Sequence, residues 1–226
     1  MTTADTNRRS QQRRTPTRAG GHGIVSSLSG AVARLANWTL WVLNAAVFGV
    51  FAGVFFASSA PFAIPHVEDL CRQAPPDVRF TSGAADVLGF LTGCGAAGRD
   101  AYRLLQVADL LYPAVFGMFM ATSMALVLSR LAPRRPVLLC VAVLPLIGSA
   151  FDYLENLCAW LALAAYPNPI PTNSVLGFAS AAKNLTFWAC GGLLLGALGL
   201  LLLAQARRRL RRRANRAGLD LAGASD

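Results

Sequence analysis

Phe151-Asp152-Tyr153-Leu154-Glu155-Asn156 places two carboxylates and an amide inside a run that is otherwise apolar from Val137 to Ala165. A helix turns about 100° per residue, so Asp152, Glu155 and Asn156, at i, i+3 and i+4, share one face. In a bilayer that face cannot look at acyl chains, because an ionised carboxylate in hydrocarbon costs several kcal/mol or takes up a proton. It has to turn inward, toward partner side chains or water. The expected fold is all-α: a four-transmembrane-helix bundle with a partly helical extracytoplasmic loop.

Composition supports a membrane setting. Of 226 residues 54% are apolar and 14% charged, against roughly 25% charged in ordinary soluble domains. The net charge of +10 resembles a nucleic-acid signature until it is located. The arginines crowd into residues 8–18 and 207–216, outside the apolar runs, where basic clusters set topology and touch anionic headgroups. Membrane lipids, not nucleic acid, are the expected partners. Five scattered cysteines without a C-x-x-C pair, and His22 and His66 far apart, give no zinc or dithiol motif. No metal or cofactor is expected. Gly-rich phosphate loops, H-E-x-x-H and G-x-S-x-G are missing too, which disfavours nucleotide hydrolysis and zincin or serine-hydrolase chemistry.

Four spans are expected, at about 38–60, 110–128, 137–165 and 175–203, forming with the 61–106 loop a membrane domain over 38–205. The basic 1–37 and 206–226 segments are tails, the first thirty residues disordered and 31–37 the start of an interfacial helix. The N-terminal region also has the Arg, Ser and Thr bias of a transit peptide. Trp38 and Trp41 suit an interface. Ala45, Gly49, Gly53 and Ala57 form a small-residue stripe, and the fourth span holds Gly192 and Gly196; such faces let helices approach closely, within the chain or in a homo-oligomer. Asn44 is expected to hydrogen-bond between helices. Cys140, Cys158 and Cys190 read as apolar fillers.

Charge fixes the expected orientation. The N-terminal tail, the turn carrying Arg130, Arg134 and Arg135, and the C-terminal tail are basic. The 61–106 loop has four Arg against five acids, and the 166–174 turn has no charge. The positive-inside rule then puts both termini in the cytoplasm and both neutral loops outside, in a cytoplasmic membrane or, for a eukaryotic source, the mitochondrial inner membrane. In that loop Ala84–Leu91 suits a short helix, and another is expected to start near Gly98 and run straight into the second span. Cys71 and Cys94 are a candidate disulfide if the loop meets an oxidising compartment, and free thiols otherwise.

Helix rise then places Asp109, Tyr112, Asp152, Glu155, Asn156, Lys183 and Asn184 in the outer half of the membrane. Lys183 is the chain's lone lysine and the natural counterion for Asp152 or Glu155. One reading is a structural ion-pair network. A second starts from three acids facing one base, so that a carboxyl holds a proton and Asp152 or Glu155 serves acid/base chemistry on a lipid or proton-coupled movement. A third, a hard-cation site, is opposed by the ammonium in its midst.

Gly98-Arg99-Asp100-Ala101-Tyr102, Asp109-Leu110-Leu111-Tyr112-Pro113, the D-x-x-E-N element at 152–156, Tyr166-Pro167 and Lys183 together resemble a family of small four-helix membrane proteins, found mostly in bacteria and functionally uncharacterised. The resemblance covers about residues 84–200 and implies the architecture and the polar cluster, not a reaction. A looser similarity is to sterol-isomerase-like membrane proteins, which use an intramembrane His that this chain lacks. The expected function is a membrane protein whose outer pocket binds a small lipid-like or protonatable ligand, with Asp152 and Glu155 as acceptors, Lys183 as counterion, and Asp109 and Tyr112 as a gate. The alternatives are a lipid-modifying enzyme and a scaffold assembled through the glycine stripes.

Overall fold

The computed structural model describes residues 30–133 and 136–223, with side chains described up to residue 212 and not at 136 or 137. Of the thirty residues expected to be disordered, 1–29 lie outside the described residues and Gly30 is helical; the basic-turn residues Arg134 and Arg135 lie outside them too. Every described element is helical, and four helical stretches are long and apolar enough to cross a membrane: Trp38–Ala57, Gly95–Leu131, Cys140–Ala165 and Thr172–Arg212.

The first span, α1 (Trp38–Ala57), begins where Asn37 Oδ1 accepts from the Thr39 and Leu40 N–H groups, an N-cap for donors that have no partner inside the helix. A short helical stretch over 30–35 precedes it and buries Val32. Within the chain α1 packs through aromatics, not through its small-residue stripe. Phe48 stacks on Phe119, and Phe55 on Tyr112 with centroids 5.6 Å apart. A Cβ at Gly49 or Gly53 would meet nothing within 4 Å, and the same is true of Gly192 and Gly196. Gly49 and Gly53 are exposed, and Gly192 and Gly196 border an apolar groove beside Met124 and Leu128 without close contact, which corrects the expectation of close packing inside the chain. Asn44 is corrected as well: its amide donates to Leu40 O one turn back. The interhelical bond comes instead from Trp41 Nε1, which donates to Ser123 Oγ at 2.8 Å.

The segment between the first two spans is more helical than its prolines suggest. It holds α2 (Ile64–Cys71), which includes His66, then a 3₁₀ turn at Pro76–Val78, α3 (Ala84–Gly93) and α4 (Gly95–Asp109). Pro65 stands in the first turn of α2 and Pro76 opens the 3₁₀ turn, positions where a missing N–H costs nothing. Cys71 and Cys94 are disulfide-bonded. Val67, Phe90, Tyr102 and Leu105 of this cap share one buried core with Cys158, Ala159 and Leu163 of the third span and Leu176 of the fourth. The cap is therefore continuous with one end of the bundle.

The second span does not continue α4 unbroken. The chain turns at Leu110-Leu111 before α5 (Tyr112–Leu131), because Pro113 has no N–H to give to the carbonyl four residues back. The third span is also interrupted. A single turn, α6 (Pro136–Leu139), and a 3₁₀ stretch at Cys140–Val143 lead into α7 (Leu144–Ala165), with Pro145 in its first turn. The fourth, α8 (Thr172–Gly223), starts three residues earlier than expected and runs through the basic arginine cluster as helix. α8 packs on α7 and α5, α1 packs on α5, and α1 and α8 are not packed on each other. A cleft is left between them in front of α5.

Candidate functional site

The inward face of α7 carries the decisive residues. Asp152, Glu155 and Asn156 are each at most 1% exposed. Opposite them on α8, Lys183 lies one turn from Ser180, and its Nζ sits 3.2 Å from Asp152 Oδ1 and against Glu155 Oε2. Ser180 Oγ donates to Glu155 Oε1. Both Glu155 oxygens are thus engaged, whereas Asp152 Oδ2 is buried without a hydrogen-bond partner among the described residues. An unpartnered buried carboxylate oxygen is costly.

The third donor of the Lys183 ammonium reaches the cap, bonding the backbone carbonyl of Asp77 at 3.1 Å. Asp77 lies in the 3₁₀ turn of the cap. The structure buries it beside the cluster, where Oδ1 accepts from the Tyr102 hydroxyl at 3.1 Å and Oδ2 from Gln106 Nε2 at 2.6 Å. Burial pushes the Asp77 carboxyl above its ordinary value, and the Lys183 charge partly opposes this. No spacing rule could have found Asp77, Tyr102, Gln106 and Ser180 together. The available signal was Pro75-Pro76 before Asp77, which fixes the local backbone, and the three-residue offset of Ser180 from Lys183.

Residues 77–82 lie along α8 as a strap. Thr81 Oγ1 donates to Gly177 O, Asn184 Nδ2 donates to Arg79 O, and Lys183 holds Asp77 O. A Cβ at Gly177 would collide with the Ser82 carbonyl, so the strap needs glycine there to seat. Asn184 is accordingly a latch for this strap as well as part of the cavity wall.

Asn156 has a structural duty on the other side. Its Nδ2 donates to the Asp109 carbonyl at 3.3 Å, Tyr153 Oη donates to Leu110 O at 3.1 Å, and Ser149 Oγ donates to Pro113 O at 2.6 Å. Three side chains on one stripe of α7 thereby satisfy carbonyls at the α4–α5 break. Tyr153 thus anchors α7 to the second span through its hydroxyl.

Between these walls is a cavity of about 440 Å³ in the cleft between α1 and α8. Asp77, Asp109, Asp152, Lys183 and Asn184 line its polar side; Phe55, Phe56, Tyr112, Phe116, Phe187 and Trp188 line the apolar one. Glu155 and Asn156 stand behind the polar wall. Tyr112 is held between the Phe55 and Phe116 rings. Trp188 and Phe56, 67% and 46% exposed, flank the mouth, which therefore opens toward the apolar flanks of α1 and α8. Asp109 forms no ion pair among the described residues. Among those residues no three of His, Cys, Asp and Glu are grouped to hold a metal ion.

The arrangement can accept protons or donors at the free Asp152 oxygen and at Asp109, while the aromatic wall takes apolar surface. No protein-family model, no curated protein and no solved structure matches the chain.

Proposed function

We propose that this multi-pass membrane protein binds a lipid-like or protonatable ligand in the α1–α8 cleft, drawn from the outer leaflet. The observation that carries the reading is the two-sided cavity, with acids and one amine facing an aromatic wall and a mouth on the apolar flank of the bundle. Its volume falls in the range of small-molecule sites, roughly 300–1,000 Å³. The ligand enters laterally, Asp109 and Tyr112 contact it, and the Lys183–Asp152–Glu155 network holds the polar wall in place.

The same proposal includes the orientation. The described arginines of the C-terminal cluster are exposed on α8, at the end of the bundle opposite the cap, and basic flanks stay in the cytoplasm. The Cys71–Cys94 bond supports a cap in an oxidising compartment. The protein then sits in a cytoplasmic-type membrane with both termini inside, its basic segments on anionic headgroups, like the four-helix bacterial proteins that its D-x-x-E-N element resembles.

Native mass spectrometry of the protein released from membranes tests the pocket. A co-purifying lipid-sized mass is expected in the native chain and lost in Gly191→Phe, which fills the cavity from a site where an added Cβ meets nothing within 4 Å. Equal retention in both chains would remove the pocket as the binding place. A second reading, acid/base chemistry on a bound lipid, is favoured by Asp109, a cavity-lining carboxylate with no ion-pair partner among the described residues. Incubation with extracted lipids and loss of turnover in Asp109→Asn would separate it from simple binding.

A further inference from the structure

We infer that the ligand of this cavity is a single-chain amphiphile with a primary ammonium head, its N–H donors on Asp152 Oδ2 and Asp109 and its chain against the Phe56–Trp188 mouth. The inference rests on the proposed pocket and deepens it by naming the charge and donor character of the ligand.

The polar wall has an excess of acceptors over donors. Lys183 uses its ammonium on Asp152 Oδ1, Glu155 Oε2 and Asp77 O. Glu155 is completed by Ser180, and Asp77 by Tyr102 and Gln106. Asp152 Oδ2 is left over: it is buried with no partner among the described residues, on a residue 1% exposed that lines the cavity. Asp109 opens on the same space, with no counterion among the described residues. An anionic head would meet these acids with the single amine already engaged, and a neutral head would leave the surplus charge uncompensated. A group bearing several N–H donors and one positive charge satisfies both, and hydrogen bonds to a carboxylate are the stronger kind. The aromatic rings beside the acids add face contacts that favour a cation over an anion.

The chain's place follows from the exposed rings. Phe56 and Trp188 stand on α1 and α8 at either side of the mouth, so a linear alkyl tail leaves the cleft into lipid while the head stays at the acids.

Three matched probes decide the matter: dodecylamine, its neutral N-acetyl derivative, and dodecanoate. Each is titrated into the full chain in neutral-lipid nanodiscs and read by native mass spectrometry. Dodecylamine is expected to bind at least about tenfold more tightly than the amide, as a charge-assisted hydrogen bond implies, with dodecanoate weakest. Asp109→Asn and Asp152→Asn should each erase most of that preference, and Gly191→Phe should abolish saturable binding of all three. If the amide binds as tightly as the amine and both are lost in Gly191→Phe, the ammonium inference falls while the pocket stands. Tightest binding by dodecanoate, or an amine preference untouched in both Asp variants, overturns the inference as well. Failure of every probe, or binding unaffected in Gly191→Phe, removes the pocket and the inference together.

Discussion

Asn156 donates its side-chain amide to the backbone carbonyl of Asp109, 3.3 Å away across the α4–α7 contact. That carbonyl is the one a continuous helix would have paired with residue 113, and residue 113 is proline. A costly polar residue on a membrane helix is thus matched to a backbone defect on its neighbour, and the match sets the register between the cap helix and the third span.

Asn156→Leu should therefore destabilise the fold by about 1–3 kcal/mol, the cost of orphaning a buried acceptor. Pro113→Ala restores an N–H four residues after Asp109 and should recover part of that loss in the double variant. Unfolding midpoints in mild detergent provide the measurement, and strictly additive losses would refute the pairing.

Lys183 serves two carboxylates, so the variants should not be equivalent. Lys183→Met strands Asp152 and Glu155 together and should cost about 3–5 kcal/mol, the range for breaking one side of a buried pair. Asp152→Asn leaves Lys183 on Glu155 and should cost less. Adding Glu155→Gln to Lys183→Met should recover stability, and a double-mutant cycle showing no coupling would argue against the network.

Asp77 predicts a pH dependence whose sign is set by burial. Its folded pKa lies above the ordinary 3.8, so its contribution to stability is fully present below that ordinary value. That contribution is lost as pH rises through the elevated folded pKa. Asp77→Asn keeps an acceptor for Gln106 and presents an amide donor to Tyr102, which can accept through its hydroxyl. The gap in unfolding midpoint between native and variant chains should accordingly shift toward the variant as pH climbs above about 4. A gap that stays constant with pH would contradict a buried, titrating Asp77.

Gly177→Ala should loosen the strap, because its methyl meets the Ser82 backbone, which has no rotamer to yield. A loss of about 1–3 kcal/mol is expected, typical of overpacking. Limited proteolysis should cut between residues 77 and 83 faster than in the native chain. Gly191→Ala, placed in open space, is the control and should leave the cleavage rate unchanged.

The sequence by itself determined the membrane architecture. Lipid cannot solvate backbone or charge, so long apolar runs must be helices, and carboxylates within them must turn inward. That logic reads directly from Asp152, Glu155 and Lys183, whose periodicity and rarity are local properties of the chain. Prolines are visible too, but hydropathy does not register a missing N–H: the cap helix α4 stops short of Pro113, and the third span becomes regular α-helix only from Leu144, with Pro145 in its first turn. Only the tertiary structure decided that Asp77, about a hundred residues from Lys183 in sequence, seals the cluster from a loop. It also left Gly49 and Gly53 of α1 exposed and opened a cleft between α1 and α8. These outcomes depend on which surfaces meet, and that is a property of the packed chain rather than of any stretch within it.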